Sequence, residues 1–176
     1  MTLDLEELRN GIMGLTPEFG SFCLQACTVC LENSNHSTGV NTNLSGNNSS
    51  RLTLNWNSAV NTQVKRNWTD SDEATEYGAT AIAILLVKHL SEYECIERSS
   101  KGLGFDYWLG EENTLEIFQR KARLEISGIL KESPTNTLEN RTKIKEDQTK
   151  KSSFLNMSAH ICVMEFSNPR CAYKII

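Results

Sequence analysis

Three acidic side chains stand where a negative charge is either costly or well placed to hold a cation. Glu76 falls inside a helical run, Asp106 lies in Gly104-Phe105-Asp106-Tyr107-Trp108-Leu109, and Glu125 lies in Ala122-Arg123-Leu124-Glu125-Ile126-Ser127-Gly128. An ionised carboxylate among apolar strand residues needs water or a partner. Two of them on neighbouring strands suit a shared magnesium ion, which binds through one or two carboxylates and keeps several waters. Such an ion activates water and stabilises the charge that builds on a phosphate during hydrolysis. The competing explanation is plain alternation of polar and apolar residues in a half-covered strand.

Two other sets carry less. Cys23, Cys27 and Cys30 have the C-x3-C-x2-C spacing of an iron-sulfur site. Spacings of three and four also place side chains on one helix face, and Phe19, Phe22, Leu24, Ala26, Val29 and Leu31 around them form a helical pattern in which cysteine serves as a small hydrophobe. The helix-face reading is preferred, and a zinc site would have only His36 nearby as a fourth ligand. His36, His89 and His160 fall in a polar loop, at a helix end and at a strand start, and no serine sits in a G-x-S-x-G elbow. A hydrolase triad is therefore not expected.

The elements that must position these residues follow from periodicity and caps. Leu3, Leu5, Leu8 and Ile12 predict a short first helix. Thr16-Pro17-Glu18 starts a second, with threonine as N-cap and proline in the first turn, running to about Glu32. Val40 to Leu44 and the alternating Leu52, Leu54 and Trp56 predict a hairpin around Ser45-Gly46-Asn47-Asn48-Ser49-Ser50. Asp70-Ser71-Asp72 caps a long helix from about Asp72 to Leu90, apolar on much of its circumference through Ala79, Ile82, Ala83, Leu85 and Leu86. Strands are expected at Tyr93 to Glu97, Phe105 to Leu109, Arg123 to Ile129 and His160 to Phe166, with an exposed, charged helix from Leu138 to Lys151. The order helix, strand, strand, strand, helix, strand makes the class α+β or α/β, without repeats or a long linker.

With the residues in that order, the chain resembles the core of the PD-(D/E)XK nuclease superfamily, which includes the Holliday junction resolvases. The resemblance runs from Glu76 on its helix through Tyr93-Glu94-Cys95-Ile96-Glu97-Arg98-Ser99 and Lys101-Gly102-Leu103-Gly104-Phe105-Asp106 to Arg123-Leu124-Glu125-Ile126-Ser127. It covers about residues 72–127, with 138–151 as a continuation. It implies a restriction-endonuclease-like mixed sheet flanked by helices in residues 70–176, with an N-terminal helical and hairpin section in residues 1–69 packed on it. It implies that Glu76, Asp106 and Glu125 bind magnesium or manganese and that the chain hydrolyses phosphodiester bonds in DNA, or in RNA. Glu73, one turn from Glu76, is an alternative to it.

The E-x-K lysine position holds Ser127, and a hydroxyl supplies no positive charge. Lys145, with Arg141 one turn before and Gln148 one turn after, is the candidate replacement, and Lys101 near Asp106 is the second. Lys101, Arg141, Lys143 and Gln148 are expected at the nucleic acid. If no lysine reaches the acids, the alternative is a non-catalytic, degenerate nuclease fold kept as a binding or partner subunit, for instance in a phage-defence or mobile-element system. The face of Phe19, Phe22, Val29 and Trp56 would then serve as a dimer or partner surface.

Composition sets the outer bounds. The chain has 176 residues with 39% hydrophobic, enough for one core, and a net charge of -4 argues against a protein that coats nucleic acid by charge alone. That charge is uneven: the net is -9 over residues 1–118, +4 over 119–151 and +1 over 152–176. A basic segment thus follows the acid residues. The most apolar run, Ala79 to Val87, falls far short of the roughly 20 residues of a membrane span. The opening Met-Thr-Leu-Asp-Leu-Glu-Glu-Leu-Arg lacks a basic start followed by an apolar stretch, so a cytoplasmic protein is expected, with free thiols and with Asn-x-Ser/Thr triplets such as Asn67-Trp68-Thr69 left as polar surface.

Overall fold

The structure, a computed structural model, describes residues 1–47, 49–111 and 119–176. Eight strands form one mixed sheet: β1 (Thr2–Asp4), β2 (Val40–Gly46), β3 (Ser50–Asn55), β4 (Tyr93–Arg98), β5 (Tyr107–Glu111), β6 (Ala122–Ile129), β7 (Ser158–Glu165) and β8 (Arg170–Ile175). Their order across the sheet is β1-β3-β2-β8-β7-β6-β5-β4. The helices are α1 (Pro17–Asn33), α2 (Thr62–Asn67), α3 (Ser71–Leu90) and α4 (Leu138–Thr149), with 3-10 turns at Leu5–Asn10 and Lys150–Leu155. The class is α+β.

From α3 onward the chain makes a meander, β4, β5 and β6, each antiparallel to the last. It then crosses through α4 to β7, which lies parallel to β6. The expected hairpin is present as β2 and β3, and β2 joins the rest of the sheet by parallel pairing with β8. Of the hairpin turn, Asn48 lies outside the described residues.

Alternate residues of the central strands serve two layers. Leu124 and Ile126 of β6 and Cys162 and Met164 of β7 join the large core under α1 and α3, while Ile129, Ile161 and Val163 pack with Leu138 of α4. The sheet is thus covered on both faces. Because α3 lies between α1 and the sheet, the run from Ala79 to Val87 has almost no exposed residue. Each fully buried leucine or isoleucine there stabilises the fold by about 1.5–3 kcal/mol. Asp70 caps α3 through the N–H groups of Asp72 and Glu73, at 2.9 and 3.1 Å. Gly128 lets α3 approach β6, since a Cβ on it would stand 2.4 Å from the Thr75 carbonyl oxygen.

Two expectations are corrected. The first apolar segment is not an α-helix. Leu3 sits in β1, which adds in parallel to β3, and Leu5 and Leu8 turn into the core from a 3-10 turn in which Asp4 caps the Glu6 N–H. The face assigned to a partner is corrected in part: Val29 and Trp56 are interior, at 1% and 4% exposed, with the Trp56 indole donating to Glu32 at 3.1 Å, whereas Phe22 is 42% exposed and meets Trp68 tilted and Tyr77 edge-on. Cys23, Cys27 and Cys30 lie within α1 and are buried, and burial pushes the Cys23 and Cys30 thiols up to about 12. They are protonated core residues at neutral pH. Among the described residues no helix is long and apolar enough to cross a membrane.

Candidate functional site

On β6, Arg123, Glu125 and Ser127 project toward α4, and each meets it through a polar contact. Arg123 donates from Nη1 to the Thr149 carbonyl at 3.1 Å and to Ser152 Oγ at 2.6 Å. Glu125 Oε1 accepts from Lys145 Nζ at 2.5 Å, and Ser127 Oγ accepts from Arg141 Nη1 at 3.1 Å. Two residues of strand advance about 6.6 Å and four residues of helix about 6 Å, so partners two apart on β6 match partners four apart on an antiparallel helix. The three rungs are fixed by that match of periods. It also explains how a helix with almost no apolar side can dock on the sheet.

Asp106 comes from the other side. It ends the β4–β5 connection, donating its N–H to the Leu124 carbonyl at 2.8 Å, while its Oδ2 accepts the Ile126 N–H at 2.8 Å. Its side chain thereby caps the edge of β6 where pairing with β5 stops. Beyond that point the edge borders a cavity of about 600 Å³ lined by Glu76 and Thr80 of α3, Arg98, Asp106, Arg141 and Lys145.

The electrostatics are those of two carboxyls held near one another out of water. Glu125 is 1% exposed, and burial, reinforced by the Asp106 charge, pushes its carboxyl up to about 7 against the opposing pull of Lys145. Burial raises Asp106 as well, held in check by the Ile126 N–H and the charges of Lys145 and Arg98. Glu125 Oε2 is buried and receives no hydrogen bond from a donor among the described residues, and the Asp106 carboxyl lies close enough to share a proton with Glu125. Lys145 is fixed by a second bond to Gln148 Oε1 at 3.2 Å, and Arg141 by two to Asn136 Oδ1.

The structure therefore brings together Asp106, Glu125, Lys145 and Gln148, with Arg141 on the Ser127 hydroxyl. Glu76 lines the same cavity as an exposed residue, but among the described residues no three metal-ligating side chains converge. Glu73 is exposed and lines no cavity described here; Lys143 is likewise exposed and outside the site. Lys101 borders an adjoining cavity with Asp106 and Gln148. Sequence reasoning missed Arg98, which lines both cavities beside Glu76 and donates to the Tyr77 hydroxyl. A register shift between Cys95 and Glu97 breaks the alternation of β4 and turns Arg98 toward the site, so simple parity could not find it. No protein-family model, curated protein or solved structure gives a significant match to the chain.

Proposed function

We propose that the protein is a metal-dependent nuclease of the PD-(D/E)XK type that hydrolyses phosphodiester bonds in DNA or RNA in the cytoplasm. The observation that carries this reading is the Asp106, Glu125 and Lys145 group at the open edge of β6. The succession α3, β4, β5, β6, α4, β7 supports it, since it presents the acids in the order that the superfamily uses. A buried carboxylate oxygen that no donor among the described residues reaches, beside a second carboxylate that faces a cavity, fits a divalent cation that completes its shell with water and substrate oxygens.

Asp106 and Glu125 would hold magnesium or manganese, which when bound polarises the phosphate and acidifies a water. The chain's own groups do the rest. Lys145, anchored between Glu125 and Gln148, keeps a positive charge beside the acids, where the E-x-K lysine would stand. Arg141 presents its guanidinium to the same cavity with its orientation set by Asn136 and Ser127. Glu76 faces them from α3 and orders water at the mouth.

The test is cleavage of labelled DNA and RNA with magnesium or manganese, comparing wild type with Asp106→Asn and Glu125→Gln. The expected result is metal-dependent cleavage reduced at least 100-fold in both variants. Absence of cleavage on every substrate, or equal cleavage by the variants, overturns the reading. A second reading, a non-catalytic binding subunit of the same fold, is favoured by the lack of a third converging carboxylate among the described residues. Calorimetric titration with manganese separates the two, since only the catalytic reading requires binding that Glu125→Gln removes.

A further inference from the structure

Beyond Asp106 lies a second cavity, of about 610 Å³, bordered by Arg98, Lys101, Gly104, Gln148 and Lys151 as well as Glu76 and Asp106. It shares Glu76, Arg98 and Asp106 with the first, so the two make one groove with Asp106 near its middle, while Glu125 is buried and lines neither cavity. The walls of the second arm are built, not incidental. The β4–β5 loop closes through Ser99 N–H to the Asp106 carbonyl at 2.8 Å, and it lies directly on the end of α4. Gly104, at φ +83°, would place a Cβ 2.6 Å from the Gln148 carbonyl oxygen. Only glycine fits there. That contact brings the loop that carries Lys101 against Gln148 and Lys151, and both lysines line the arm.

Several basic residues nearby are already neutralised, while others, such as Lys121, Lys131 and Lys143, have no ion pair among the described residues. Lys150 is paired with Asp147 at 2.5 Å, Arg120 with Glu97 at 2.7 Å, Arg170 with Glu132 at 2.5 Å, and Lys174 with Glu146. Lys101 and Lys151 are exposed and have no ion pair among the described residues. Gln148 gives its carbonyl oxygen to Lys145, which leaves its amide N–H groups as donors. Two free ammonium groups, a guanidinium and an amide donor around one cavity suit a phosphate. The first arm also has cations, Lys131 and Arg141, so positive charge lies on both sides of the acid pair.

We propose that the second cavity is a phosphate subsite, formed by Arg98, Lys101, Gln148 and Lys151, that holds the phosphate next to the one presented to Asp106 and Glu125. The substrate is then an internal stretch of a nucleic-acid strand crossing the groove, not a terminal or isolated phosphoester. This deepens the nuclease reading and rests on it for the identity of the acid pair, but phosphate binding is measurable without catalysis.

The experiment has two arms. In EDTA, binding of a fluorescein-labelled 20-nucleotide DNA is followed by anisotropy as a function of salt. Lys101→Ala/Lys151→Ala should weaken binding roughly tenfold or more and lower the slope of log K against log salt by about one per lysine, while Lys150→Ala, whose ammonium is already paired, leaves both unchanged. With manganese, the double variant should lose at least tenfold in kcat/KM on the DNA and several-fold less on bis(4-nitrophenyl) phosphate, a diester with no neighbouring phosphate; an equal loss on both substrates overturns the subsite. Equal affinity and salt slope in wild type and double variant overturn the subsite even if DNA is cut, as does a wild type that does not bind. Binding that depends on Lys101 and Lys151, without hydrolysis of either substrate, supports the subsite and overturns the nuclease reading instead.

Discussion

Glu125 is the residue on which the site turns, because its carboxyl is buried, bonded to Lys145 at one oxygen and set against the Asp106 carboxyl. In the folded chain it titrates at about 7 in place of 4.5, so folding favours its protonated form. Its contribution to stability is complete below pH 4.5 and is lost as pH rises through 7, a change of about 3 kcal/mol. Lys145 limits that loss. Lys145→Met should cost on the order of 2 kcal/mol at pH 8, where the carboxylate would be left buried without its cation, and much less at pH 5, where it is protonated. Urea denaturation at the two pH values checks this. An equal loss at both would mean that Lys145 supports the fold by packing alone. The sequence placed Lys145 beside the acid through helical spacing from Arg141 and Gln148, and all three do meet the site. Arg98 was not legible, since its direction depends on the β4 register shift, a property of strand pairing and not of composition.

At the scale of elements, α4 is held by hydrogen bonds where α3 is held by apolar burial. Its last turn hangs on Arg123, which is 5% exposed and also donates from Nη2 to the Met157 carbonyl at 2.7 Å. A buried guanidinium of this kind positions whatever follows from the helix it grips. Arg123→Met leaves buried carbonyls unpaired and should destabilise the protein by about 2–4 kcal/mol. Ser152→Ala, which removes the hydroxyl's bonds with Arg123 and the Thr149 carbonyl but leaves the guanidinium on Thr149 and Met157, should be milder. In both, amide exchange in residues 145–149 should quicken and the Glu125 titration should move upward as Lys145 withdraws. Unchanged exchange in α4 with Glu125 still at about 7 would show that Arg123 does not position the helix. The helices α1 and α3 were legible because Thr16 and Asp70 satisfy orphan N–H groups from sequence-local positions, whereas α4 was expected from its charged run alone and the structure adds Thr137 as its cap. Strands β1 and β8 were not. Thr2–Asp4 owes its conformation to parallel addition onto β3, and Arg170–Ile175 to its place between β2 and β7, both decided by residues distant in the chain.

For the whole molecule, two buried groups set opposing responses to pH. His160 is 1% exposed, with its Nδ1 2.6 Å from the Tyr173 hydroxyl, and burial lowers it to about 4. The unfolded chain takes up its proton near 6.5, so the stability that neutral His160 provides is present above pH 6.5 and is lost as pH falls through 4. Glu125 acts in the reverse sense over nearly the same range. Each amounts to about 3 kcal/mol at roughly 1.4 kcal/mol per pH unit, so between pH 4.5 and 6.5 the two slopes largely cancel in the wild type. Removing either exposes the other. Relative to wild type, Glu125→Gln should lose stability as pH falls from 6.5 to 4.5, and His160→Gln should lose it as pH rises over that interval. Thermal or urea unfolding of the three proteins at half-unit steps of pH measures the difference curves directly. Parallel curves for both variants would mean that the two groups do not titrate across folding as their burial dictates. Saturating manganese should abolish the Glu125 slope while leaving that of His160, because a cation held by the carboxylate displaces the proton that folding otherwise favours.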